Sequence, residues 1–196
     1  MKRTILLTTS CIIISIVLIQ CQYPEQQRDP ENSFGVKYTS QIEWGKHLVA
    51  VSACHDCHSP KDPKGHGLEL DTTRILSGHA PGDPEPTANL RELRSKGQIV
   101  TVGGLTSWAG SWGQSYAANL TSDPTGIGNW SEEQFMRALR HGKFKGLENG
   151  RALLPPMPWE MYKNFSDDEI KAILAYLKST KPIRNIVPSP KLIEDL

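Results

Sequence analysis

Residues 53–60 read "ACHDCHSP", so Cys54, His55, Asp56, Cys57 and His58 occupy five consecutive positions. Whatever two thiols and an adjacent imidazole bind together must be built into the fold, which makes this segment the tightest constraint on the chain. Three chemistries use such a pattern. A structural zinc takes four thiolate or imidazole donors, commonly as two spaced pairs. A redox dithiol sits at a strand-to-helix turn in a βαβ unit. C-x-x-C-H is also the attachment signal for haem c.

The start of the chain bears on the choice. Lys2 and Arg3 precede an uncharged stretch, Thr4 to Gln20, dominated by "ILL" and "CIIISIVLI". A basic opening followed by a short apolar core is the grammar of an export signal. The apolar run is shorter than the roughly 20 residues of a membrane-spanning helix. It ends in Leu18-Ile19-Gln20-Cys21, which resembles a bacterial lipobox, whose cysteine is lipidated and becomes the first mature residue. Gln20 stands where a small residue is usual. Residues 1–20 therefore read as a lipoprotein-type signal peptide cut before Cys21, with plain cleavage nearby or an uncleaved anchor as alternatives. Of the four cysteines, Cys11 would be removed and Cys21 would carry lipid, leaving Cys54 and Cys57 for the folded domain. Exported proteins commonly pair spare cysteines as disulfides, but there is no second pair here. These two thiols act together.

The whole chain is 38% hydrophobic and 22% charged, which reads as one domain with extensions, and its net charge of +1 suggests no nucleic-acid footprint. Residues 21–39 are polar with two prolines and no apolar period, a flexible tether. Three helices are expected. The first is capped by Ser40 with Glu43 and carries Ile42, Trp44, Leu48 and Val51 as an apolar stripe running into Cys54. The second spans Ser131 to His141, closes at Gly142, and turns Phe135, Met136 and Leu139 inward. The third is capped by Ser166 and Glu169, buries Ile170, Ile173, Leu174 and Leu177, and stops before Pro182. Between the first two lies a long segment rich in Gly, Pro, Ser and Thr, too long for an idle loop. Its part 106–130 holds Trp108, Trp112, Trp130 and Tyr116 among small residues and suggests a loop packed on a large flat apolar object. A hairpin from "QIVTVGG", 98–104, is the simpler alternative for that stretch. The chain 183–196 reads as an extended tail.

Zinc lacks a second pair of donors, and no βαβ context supports a dithiol. Haem fits: thiols three residues apart at a helix end reach two vinyl groups, and His58 offers its imidazole to iron. A carrier haem needs a second axial ligand. Met157 lies between Pro155-Pro156 and Pro158, which fix φ around it, and is preferred to Met161, for which packing is the ordinary explanation. Met136 reads as core, and His79 is the main competitor that is not a methionine. His47, His55, His66 and His141 receive no role.

Taken with these residues, "GKHLVAVSACHDCHSP" (45–60), "ANLTSDPTGIGNWSEEQFMRALRHGK" (118–143) and "LLPPMPWEMYKNFSDDEIKAILAYLKS" (153–179) make residues 40–182 resemble a class I bacterial cytochrome c, similar to the cytochrome domains of dehydrogenase electron-acceptor subunits. The resemblance implies an all-α class I cytochrome c-like fold, about three core helices around one covalently bound haem, with a long inserted loop. It implies a close crossing of the first and last helices at Gly45 and Tyr176, and Asn119 and Arg151 as neighbours of the haem propionates. With His58 and Met157 both on iron, no open site remains for a small-molecule substrate. The expected function is an exported, lipid-anchored, periplasmic monohaem carrier of single electrons between protein redox partners. The alternatives are a peroxidase-like haem enzyme or sensor that displaces Met157, and a cytochrome subunit fixed to a membrane-associated dehydrogenase.

Overall fold

The computed structural model describes residues 38–64 and 67–195. The expected signal peptide, Cys11, Cys21, most of the expected tether and His66 lie outside the described residues. The Tyr38 ring meets that of His47 at 5.4 Å between centroids.

Helix α1, Gln41–Val51, starts where Ser40 Oγ accepts from the Glu43 amide. The Glu43 carboxylate accepts from the amide and hydroxyl of Thr39, one residue earlier than a capping box requires. The helix ends before the motif: Ala53 sits at φ 57°, and Cys54–His58 forms a separate short helix, α2. The expected continuous helix is thus broken by a left-handed residue, a conformation that costs energy for any residue with a Cβ. Helix α4, Glu132–His141, and helix α6, Asp167–Ser179, both carry complete capping boxes, Ser131 with Gln134 and Ser166 with Glu169. Between α1 and α4 lies α3, Leu90–Lys96, and before α6 comes the single turn α5, Trp159–Tyr162.

Helices α1 and α6 cross at Gly45, where a Cβ would lie 1.8 Å from the Ala172 carbonyl oxygen and 2.9 Å from Tyr176 Cβ. Only glycine permits that approach. The core at the crossing combines Leu48 and Val49 with Phe135, Leu139, Ile170, Ile173, Leu174 and Leu177, closed by Leu76 and Ile127 from the inserted segment. The stripe expected on α1 is rotated. Ile42 and Val51 are 45% and 63% exposed, and Val49 is buried in their place.

The all-α expectation is overturned. Among the described residues there are six α-helices and two antiparallel sheets. Strands β1, Lys61–Lys64, and β2, Gly67–Leu70, form a hairpin with Lys61 opposite Leu70. Strands β3, Val100–Thr101, β4, Ser107–Gly110, β5, Gly113–Tyr116, and β6, Lys191–Leu192, form a four-stranded sheet in that order. The fold is mixed. Residues 107–116, expected as loop, are a tight hairpin whose closing Gly113 has φ 112°. The strands are short, and their Ser, Ala and Gly residues are buried on both faces, so no apolar alternation marks them. β3 falls within the segment where a hairpin was the alternative, but its partner is β4. The 183–195 segment runs extended and is then stitched in: Asn185 is buried, its amide donates to the carbonyls of Ser77 and His79, and β6 pairs with β5.

Candidate cofactor site

Helix α2 carries Cys54, Cys57 and His58 at i, i+3 and i+4, spacings that share one helical face. Both cysteines are free thiols and half-buried. Burial pushes the Cys54 thiol up to about 12 and raises that of Cys57 as well. A nucleophilic dithiol needs the opposite shift. Among the described residues no three His, Cys, Asp or Glu side chains converge as a metal cluster.

His58 is 9% exposed, and its Nδ1 lies 2.8 Å from the carbonyl oxygen of Ala118. A carbonyl can only accept, so Nδ1 carries the proton and the lone pair is on Nε2. Burial depresses the imidazole's basicity, which keeps the ring neutral. A neutral imidazole oriented by a backbone acceptor is the usual form of an iron-ligating histidine. The hydrogen bond that fixes it crosses from α2 to the end of β5. The Gly78 amide donates back to the His58 carbonyl at 2.8 Å, and the His79 amide donates to Ala117. The inserted segment thus clasps the motif helix on two sides.

Met157 is half-buried and packs against the core, as do Trp130, Met136, Tyr162 and Phe165. Met161 is 71% exposed. Tyr162 donates to the Ser52 carbonyl at 2.6 Å, tying α5 to the turn that precedes Cys54. The segment bearing Met157 and the one bearing the thiols are therefore linked directly. The donor set (two thiols, a pre-oriented imidazole and a thioether beside a half-buried apolar surface) fits haem c.

Asn119 is buried and fully engaged: its amide donates to the Ile183 carbonyl at 2.8 Å and to Thr125 Oγ1, while its Oδ1 accepts from the Thr121 amide and hydroxyl. It braces the 119–125 turn against the C-terminal segment. Arg151 stacks on Phe144, its guanidinium carbon 3.9 Å from the ring centroid, and donates to the Ala152 carbonyl. No carboxylate among the described residues pairs with it. His79 is enclosed, with Nδ1 3.0 Å from Thr106 Oγ1, its ring 4.9 Å from that of Tyr116, and Nε2 buried without a partner. His55 Nδ1 meets Ser59 Oγ, which also accepts from the Leu76 amide. Sequence reasoning missed Ser59, Ala118 and Tyr162. Ala118 acts through a carbonyl that every residue has, so no side-chain signal could reveal it.

No protein-family model matches the chain. Among curated proteins, it is 41% identical over 145 residues to the fructose dehydrogenase cytochrome subunit of Gluconobacter japonicus, a match covering 62% of this chain. The cytochrome c subunit of the quinone alcohol dehydrogenase of Gluconobacter oxydans is 40% identical over 158 residues, covering 77%. The chain is a homologue of the cytochrome c subunits of dehydrogenases. One of the subunits of the nicotinate dehydrogenase of Pseudomonas putida is also similar to this chain, 39% identical over 156 residues and 78% of the chain. The matches span only 29%, 25% and 10% of these three relatives' own lengths. Likeness therefore extends to a part of each relative rather than to the whole of any of them.

Proposed function

We propose that the chain binds one haem c through Cys54 and Cys57, with His58 and Met157 on the iron, and passes single electrons between protein partners. The bound group would supply the reversible ferric–ferrous exchange. The polypeptide supplies attachment, ligation and insulation. The bond from His58 Nδ1 to Ala118 carries the reading, because it leaves Nε2 as the free donor immediately after the two thiols. Burial of Met157 and exposure of Met161 favour the former as sixth ligand. Thioether ligation would raise the potential and close the iron to substrates, so the role is transfer rather than catalysis.

The relatives are subunits of dehydrogenases, which favours a donor of that class, either as a fixed assembly or in transient contact. Lipidation at Cys21 would hold the domain beside such a membrane-associated complex, on the periplasmic side. Asn119 and Arg151 would lie near the propionates. Arg151, with no carboxylate partner among the described residues, has guanidinium N–H groups to offer them, whereas Asn119 would act by bracing the turn. Substitution Met157→Ala in protein matured with haem tests the ligation. It should abolish the far-red thioether-to-iron band of the ferric spectrum while Met161→Ala leaves it intact. The reverse pattern would reassign the ligand.

A further inference from the structure

The segment bearing Met157 has few means of holding itself still. Pro155, Pro156 and Pro158 have no amide hydrogen to donate, and Pro155 and Pro156 are exposed. Within the segment, the Met157 amide reaches the Leu154 carbonyl at a long 3.3 Å, and before it the Leu153 amide donates to Gly142. The Pro158 carbonyl accepts from the Met161 amide at the start of α5, and a tie from another element is the Ser115 hydroxyl, which donates to the Pro155 carbonyl at 2.6 Å. Ser115 is buried on β5, and its hydroxyl accepts from Trp112 Nε1 at 3.1 Å, so its direction is fixed. β5 is paired on both sides, with β4 and with β6. Three residues further along, the same chain presents the Ala118 carbonyl to His58. One strand and its continuation thus touch both segments that bear the iron's candidate ligands, by a hydroxyl on one side and a carbonyl on the other.

We propose that Ser115 is a positioning residue for Met157, anchoring the proline-rich segment to the sheet so that the thioether stays on the iron. The proposal rests on Met157 being a ligand. Losing one neutral hydrogen bond weakens the closed arrangement by an amount that corresponds to about a three- to tenfold change in an opening equilibrium. Exogenous imidazole competing for the ferric iron reads that equilibrium directly. In the haem-loaded protein, Ser115→Ala should bind imidazole about three- to tenfold more tightly, with Ser115→Thr restoring wild-type affinity. Trp112→Phe, which keeps the Ser115 hydroxyl but removes its orienting donor, should shift the affinity the same way by less; it serves as the test if Ser115→Ala does not accumulate. A variant that melts earlier yet binds imidazole as wild type does would reduce Ser115 to a structural residue and overturn the proposal. If Met157→Ala loses the thioether band while both Ser115→Ala and Trp112→Phe leave imidazole binding unchanged, the proposal alone fails. If Met157→Ala keeps the band, the ligand reading fails and the proposal with it.

Discussion

Single side chains set the electrostatics on which the inserted segment depends. Arg74 spans Asp71, at 2.6 Å, and Asp83, at 3.0 Å, and closes the turn that leads to Leu76 in the core. The Arg74 guanidinium and the Thr73 hydroxyl hold the Asp71 carboxyl down at about 2. An unfolded aspartate titrates near 3.9, so this depressed group favours the folded state above that pH and loses its contribution as pH falls toward 2. Melting temperature should therefore decline between about pH 4 and pH 2, and Asp71→Asn should flatten that part of the curve. An unchanged slope in the variant would show that other carboxylates govern acid unfolding. The thiols behave in the opposite sense. Burial raises both, so before haem attachment they should alkylate slowly at neutral pH.

Helical elements were legible because caps and apolar spacing are local. Ser131–Gln134 and Ser166–Glu169 announce the starts of α4 and α6, and the four positions expected inward on α6, Ile170, Ile173, Leu174 and Leu177, are all buried. The sheet was not legible. Its strands are two to four residues long, and β6 reaches its partner from the far end of the chain, a pairing that no local pattern encodes. The motif residues Cys54, Cys57 and His58 could be read from spacing alone, whereas the carbonyl that orients His58 became visible only once β5 was placed. At this scale the helix crossing offers a sharp test. Gly45→Ala drives a methyl into the Ala172 carbonyl, and overpacking of this kind should cost on the order of 1–3 kcal/mol. Thermal or urea unfolding of the variant measures it. A loss near zero would mean that the helices separate freely at this point.

For the domain as a whole, the C-terminal segment acts as a strap rather than a tail. Asn185 reaches the Ser77 and His79 carbonyls, Asn119 reaches Ile183, and Lys191 pairs with Glu85 at 2.6 Å. The same inserted segment clasps the helix bearing His58, so loosening the strap should be felt at the motif. Asn185→Ala leaves two buried carbonyls without their donor and should destabilise the fold by about 1–3 kcal/mol. It should also speed amide exchange at Gly78, whose hydrogen bond ends on the His58 carbonyl. Exchange at Gly78 equal to wild type would confine the strap's effect to the far side of the insertion.

A covalent haem on Cys54 and Cys57 is the proposal that joins these relationships, and its presence can be measured outright. Protein matured in a host that attaches haem c should give a pyridine haemochrome corresponding to one haem per chain. Its intact mass should rise by one haem, with Cys54 and Cys57 both resistant to alkylation even in denaturant. Colourless protein from the same host, with both thiols open to alkylation, would contradict the account.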